Sequence, residues 1–146
     1  MTAMTNYTEN KLVDHLFRGV SFAAPANLYL GLFTAAPTDA GGGTECTGGA
    51  YARVTVACST ANWSGTQGAG TTDASSGASG TISNNAAITF PTPTAGWGTV
   101  VAVGIFDAAS AGNLLYWGAI SPSKTVSNGD APPQFAPGDL QFQVDT

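Results

Sequence analysis

The run Thr99-Val100-Val101-Ala102-Val103-Gly104-Ile105-Phe106 is too apolar to be a half-exposed strand, and it constrains the fold more than any other segment. A strand of this kind must be covered on both faces. Leu28-Tyr29-Leu30-Gly31-Leu32-Phe33 has the same character and predicts a second central strand. Around these two, shorter runs recur between Gly, Ser, Pro and Asn punctuation. They are Tyr51–Ala57 with Val54 and Val56 facing inward, 82–90, 114–120, 124–126 and 134–136. Leu140-Gln141-Phe142-Gln143-Val144 alternates apolar and amide side chains. A weak strand fits Ala61-Asn62-Trp63. Seven or eight strands with closely spaced turn signals predict a mainly β fold, an antiparallel jelly-roll-like β-sandwich or a barrel. No internal repeat suggests a propeller or solenoid.

One helix is expected, near the start. Thr8 can cap it, Glu9 suits its first turn, and Gly19 can close it. Leu12, Val13, Leu16, Phe17 and Val20 recur at helical spacing, with Lys11, Asp14, His15 and Arg18 off that stripe. The stripe is expected to pack over one end of the sheet. The chain then divides into an N-terminal arm, 1–7, and one β-sandwich domain, 8–146. From Ser64 to Thr81 nearly every residue is Ser, Gly, Thr or Ala, which predicts a long flexible loop, 64–81.

Charge is scarce. Charged residues are 9% of the chain, against about 25% in an ordinary globular domain. A surface of hydroxyls, amides and small apolar groups loses little solvation when protein covers it, which suits a subunit of an assembly. The net charge of −5 argues against a nucleic-acid partner, which requires a basic patch. No run reaches the ~20 apolar residues that span a bilayer, so no membrane partner is expected. The first residues carry no signal-peptide pattern, which predicts synthesis in a cytoplasm without export. Cys46 and Cys58 allow a single pairing, but thiols made in a cytoplasm stay reduced.

Catalytic constellations are missing from the sequence. His15 is the one histidine, and its neighbour Asp14 points to another side of a helix, so no nucleophile–base pair is set up. Asp107, Asp130 and Asp139 sit in turns, where Asp bonds to backbone. Asn128-Gly129-Asp130 and Asp139 lack the ligand density of a calcium loop. Gly41-Gly42-Gly43 lacks the lysine and context of a phosphate loop. The chain is therefore expected to be no enzyme and to take no cofactor or metal. Trp63 and Trp97 border Gly-rich segments and are expected to be partly exposed, where they could stack on sugar rings. Trp117 is expected in the core.

Several motifs occur in a specific order along nearly the whole chain. They are Asn10-Lys11-Leu12 to Phe17-Arg18-Gly19, Tyr29-Leu30-Gly31-Leu32-Phe33-Thr34-Ala35-Ala36-Pro37-Thr38, and Gly49-Ala50-Tyr51-Ala52-Arg53-Val54. They continue with Ser83-Asn84-Asn85-Ala86-Ala87-Ile88-Thr89-Phe90-Pro91, Trp97-Gly98-Thr99-Val100 and Gly104-Ile105-Phe106-Asp107-Ala108. Gly112-Asn113-Leu114-Leu115-Tyr116 and Val126-Ser127-Asn128-Gly129-Asp130 complete the series.

In these motifs the chain resembles a family of small tailed-bacteriophage virion proteins, often labelled tail-fibre-like. In size it is similar to capsid cement or decoration proteins. The resemblance implies a structural protein of the virion, made in the bacterial host. As a cement protein it would bridge capsomers, with the major capsid protein or another virion protein as partner and a homo-oligomer, a trimer, as its state. The alternative is a tail fibre or a tail-associated receptor or glycan binder. Candidate contact elements are the arm before Thr8, the 64–81 loop and Pro132-Pro133, with Tyr7 and Phe22 as aromatic anchors and Trp63 and Trp97 beside them.

Overall fold

A computed structural model describes residues 2–144. Met1 of the expected arm and residues 145 and 146 of the expected domain lie outside the described residues. In chain order the elements are β1 (Thr2–Met4), α1 (Asn6–Arg18), β2 (Asn27–Ala35), β3 (Thr44–Glu45), β4 (Val54–Ala57) and β5 (Thr81–Ser83). There follow β6 (Ile88–Thr89), β7 (Gly98–Phe106), β8 (Leu114–Val126), β9 (Gln134–Phe135) and β10 (Gln141–Gln143). The mainly β, antiparallel expectation with one N-terminal helix is met. Six strands form one sheet in the order β1-β8-β7-β2-β3, with β4 also on β2. Two ribbons, β10-β5 and β6-β9, make the second layer in place of a second continuous sheet.

The two most apolar runs are indeed central. β2 and β7 lie side by side, with Leu30 opposite Ile105 and Leu32 opposite Val103. On one face of the sheet Leu30, Leu32, Val103, Ile105 and Leu115 pack against Ile88, Phe90, Leu140 and Phe142 from the ribbon side. Burial of these side chains is the main driving force for the fold, at roughly 1.5–3 kcal/mol each. The other face holds a small cluster of Phe33, Ala102 and Phe106, the two rings stacked at 5.9 Å. Gly31 and Gly104 face each other in register at the sheet centre. A Cβ on Gly104 would meet Leu114 Cδ1 at 2.6 Å, and one on Gly31 would meet Glu45 Oε1 at 2.8 Å. The absent side chains make the room that the aromatic rings and a carboxylate occupy.

Three expectations about elements change, each for a visible reason. The predicted strand 82–90 breaks in two because Asn84, fully buried, takes over local backbone bonding. Its amide donates to the carbonyls of Ala86 and Ala136, each at 2.8 Å, and accepts from the Leu140 N–H at 2.9 Å. The runs 114–120 and 124–126 fuse into the 13-residue β8. Pro122 is tolerated there because β1 covers only Tyr116–Gly118 on that side, leaving Pro122 at a sheet edge where no N–H is required. The residues before the helix are no free arm, since Thr2–Met4 pairs with β8 as an edge strand.

The expected 64–81 loop ends at residue 80, just before β5 begins, and is stitched by its own hydroxyls and amides. Gly65 N–H donates to Thr71, Thr66 N–H to Ser75, and Gln67 to the Ala74 carbonyl. Asn85 grips the loop from outside, accepting from Gly70 N–H and donating to the Thr71 carbonyl. Cys46 and Cys58 are both free thiols.

Candidate interaction surface

The helix begins at Asn6, two residues before the cap expected from sequence, with Thr5 at the N-cap. Thr5 makes no side-chain capping bond to the helix backbone, its hydroxyl lying 3.4 Å from that of Thr8. Its hydroxyl donates instead to the Leu114 carbonyl, and that of Thr8 donates to the Leu115 carbonyl at 2.9 Å. Thr5 and Thr8 are both buried. Two threonines therefore bolt the first turn of α1 to the start of β8. Gly19 closes the other end in the left-handed region (φ 68°), its N–H reaching the Asp14 carbonyl. His15 Nδ1 stands 3.3 Å from the Val20 carbonyl and 3.4 Å from the Phe22 nitrogen, at the bend that follows the helix.

From the second turn to the residue after the cap, the stripe expected to pack on the sheet faces outward. Val13 is 51% exposed, Leu16 64%, Phe17 81% and Val20 43%. Thr8 is the buried residue of α1, and Tyr7 and Leu12 are half-buried, Tyr7 packing against the core. The reason is leverage. Only the first turn is tied to the sheet, so the following turns overhang it. Val13, Leu16 and Phe17 sit at i, i+3 and i+4 on α1, one strip, and Val20 follows just beyond the Gly19 cap. At ~150–200 Å² per large side chain they offer roughly 400 Å² of apolar surface, within the range that marks a docking patch. The flanking charges are balanced, Arg18 pairing with Asp14 at 2.8 Å and Lys11 lying over the Tyr7 ring.

The other candidates fall elsewhere. Trp63 and Trp97 are not exposed platforms. Trp97 is 4% exposed, meets Tyr51 edge-on at 5.2 Å, and donates to the Gly49 carbonyl at 2.9 Å. Trp63 is 9% exposed and meets Phe142 edge-on. Trp117, expected in the core, is half-buried. A register shift where Leu114 pairs Phe106 and Tyr116 pairs Ile105 directs Tyr116 to the main core and puts Trp117 on the opposite face. Phe22 is half-buried, Pro132 exposed and Pro133 half-buried. The structure does not bring Phe22 together with the two prolines in one patch with α1.

An apolar crevice of about 120 Å³ lies at the far end of the sheet, lined by Leu32, Val100, Ile120, Val126, Pro133 and Phe135. Lys124 and Gln134, both exposed, complete its lining. Sequence reading missed it, because its walls come from four separate strands.

The concavity richest in chemical groups, about 480 Å³, contains Glu45, Cys46, Tyr51 and Arg53. These groups are engaged with one another. Arg53 binds both carboxylate oxygens of Glu45 at 2.8 Å, and donates to the Ala108 and Ala111 carbonyls at 2.7 and 2.8 Å. Its guanidinium stacks over Phe106 at 3.3 Å, and Tyr51 donates to Glu45 at 2.9 Å. Burial, aided by the Glu45 charge, pushes the Cys46 thiol up to about 11, so it stays protonated at neutral pH. Desolvation likewise raises Tyr51. Asp107, Asp130 and Asp139 do the turn work expected of them, accepting from the N–H groups of Asn113, Ser127 and Ala136. Among the described residues no group of three or more His, Cys, Asp or Glu is placed to hold a metal ion. None of the described helices is long and apolar enough to cross a membrane.

The surface that stands out is thus a binding face, an overhanging apolar helix on a low-charge β framework. No curated protein matches the chain. The family described as Podophage GP4 fiber I protein gp80 matches residues 3–143. With nearly the whole chain matched, this protein belongs to that phage virion protein family.

Proposed function

We propose that the chain is a non-enzymatic structural subunit of a phage fibre, a homo-oligomer that joins neighbouring virion proteins through the apolar face of α1. The observation that carries this reading is the outward strip Val13, Leu16 and Phe17 on a helix fastened only at its first turn, with exposed Val20 just beyond its cap. An uncovered strip of this size costs solvation and is retained where a partner covers it. The fibre assignment follows the family description. We read the stacked sheet and ribbons as a sandwich of jelly-roll type, and the oligomer as a trimer.

A second reading, capsid decoration that bridges capsomers, draws support from the 9% charge content, since a hydroxyl-rich surface is easily covered. Gold-labelled antibody on intact virions separates the two. Label confined to the tail or its appendages supports the fibre reading, and label over the head shell supports decoration. Virions that carry no label would defeat both.

A further inference from the structure

We infer that β4 is a docking edge, onto which an extended, uncharged segment of another virion polypeptide adds as a further strand. The inference rests on membership of a virion protein family and concerns a contact separate from the α1 strip.

Hydrogen-bond alternation fixes which groups the edge offers. Cys58 N–H donates to the Ala26 carbonyl at 2.9 Å, in the register that sets Leu28 opposite Val56 and Leu30 opposite Val54. Bonded and non-bonded positions alternate along an antiparallel pair. Val54 and Val56 therefore bond β2, while Thr55 and Ala57 turn their backbone groups away from it. No described strand pairs with that side of β4. The Ala57 carbonyl takes the Asn62 side-chain amide at 3.1 Å. The Thr55 N–H, the Thr55 carbonyl and the Ala57 N–H are left as open rungs among the described residues.

The space beside these rungs suits a backbone. A groove of about 360 Å³ runs along β4, lined by Val54–Ala57, Asn62 and residues 86–89. On its other wall the alternation repeats. Phe90 N–H donates to the Pro133 carbonyl, so Ile88 bonds Phe135 and Thr89 turns away from β9. Both walls thus carry backbone donors and acceptors. An aliphatic ligand would leave them unbonded, whereas an extended chain presents donors and acceptors at the matching spacing. None of the lining residues is charged, so a charged side chain entering the groove would lose water without gaining a counter-ion.

The other edges make β4 stand out. β8 is open beyond Gly118, but Pro122 and Lys124 stand there, two residue types that discourage strand addition. β3 and β9 are two residues long, and β1 and β10 lie beside each other. β4 carries neither proline nor charge over its four residues, about 13 Å of strand. The same comparison points away from a second copy as the source of the added strand. Asn62 already occupies the Ala57 carbonyl that a pairing of β4 with itself about Val56 would use.

Hydrogen exchange read by mass spectrometry tests the edge, on the purified full chain and on intact virions. The Thr55 and Ala57 amides are expected to exchange rapidly in the purified chain and at least about 100-fold more slowly in virions, with Val56 protected in both. Equally fast exchange in virions would overturn the inference. So would slow exchange in the purified chain, because the covering strand would then come from the chain itself or from its copy. Two variants add a second readout. Thr55→Pro removes an outward N–H that the fold does not use, and Thr55→Lys puts a blunting charge at an exposed position. Each is expected to keep the wild-type circular dichroism and urea midpoint, and to enter virions about tenfold less. A folded Thr55→Lys chain that enters virions like wild type would also overturn the inference. Neither variant touches α1, so failure here, with Phe17→Asp excluded from virions, would leave the α1 reading standing.

Discussion

The helix and the Arg53–Asn84 interior invert the usual rule in opposite directions. Inside, Arg53 and Asn84 bury polar groups, with Asn84 fully enclosed and the Arg53 side chain 7% exposed. Outside, α1 presents Val13, Leu16 and Phe17 to water, with Val20 exposed just beyond its cap. The interior exception is fully compensated, since Arg53 meets a carboxylate, two carbonyls and a ring, and the Asn84 amide bonds three backbone groups. The helix exception has no compensation among the described residues. A satisfied exception is architecture, and an unsatisfied one is a surface awaiting its partner.

That contrast predicts which substitutions unfold the protein and which leave it folded but solitary. Arg53→Met should be the most damaging, at about 3–5 kcal/mol, because it strands Glu45 and two carbonyls; urea denaturation within 1 kcal/mol of wild type would show the network to be ornamental. Asn84→Ala should cost about 3 kcal/mol by leaving the Ala86 and Ala136 carbonyls and the Leu140 N–H unpaired, seen as a lower urea midpoint with an unchanged slope.

A pH titration sharpens the point at Cys46. Its folded value is raised from 9.0 to about 11, so the folded state holds a proton that the unfolded chain releases first. The stabilisation is complete below pH 9 and is lost as pH rises from 9 to about 11, on the order of 2 kcal/mol. Cys46→Ala should flatten that part of the profile while Tyr51, raised in the same direction, preserves a further alkaline loss. Phe17→Asp should have the smallest effect on the monomer, within about 0.5 kcal/mol, while abolishing assembly. A large drop in its melting temperature, measured at concentrations where wild type is monomeric, would mean that the strip is part of the core after all.

Much of this framework was legible beforehand. Thr99–Phe106 and Leu28–Phe33 could only be central strands, and that is where β7 and β2 lie. Gly19 ended the helix as its conformational freedom suggested. The turn aspartates were also readable, since Asp bonds the backbone a few residues away without help from the rest of the fold. Trp63, Trp97 and Trp117 were misplaced because their exposure depends on distant chain, the Gly49 carbonyl in one case and a register shift against β7 in another. The amphipathic stripe was correctly located, but its direction was not, because periodicity fixes only that a helix has an apolar side.

By itself, then, the sequence determined the local matters: which segments extend, where the helix stops, and how scarce charge is along the surface. These follow from side-chain pattern and backbone preference within a few residues. Tertiary structure alone decided which apolar groups are inside and which remain outside. Threonine hydroxyls at positions 5 and 8 reach carbonyls more than one hundred residues away, and that long-range attachment leaves the apolar side of α1 facing water.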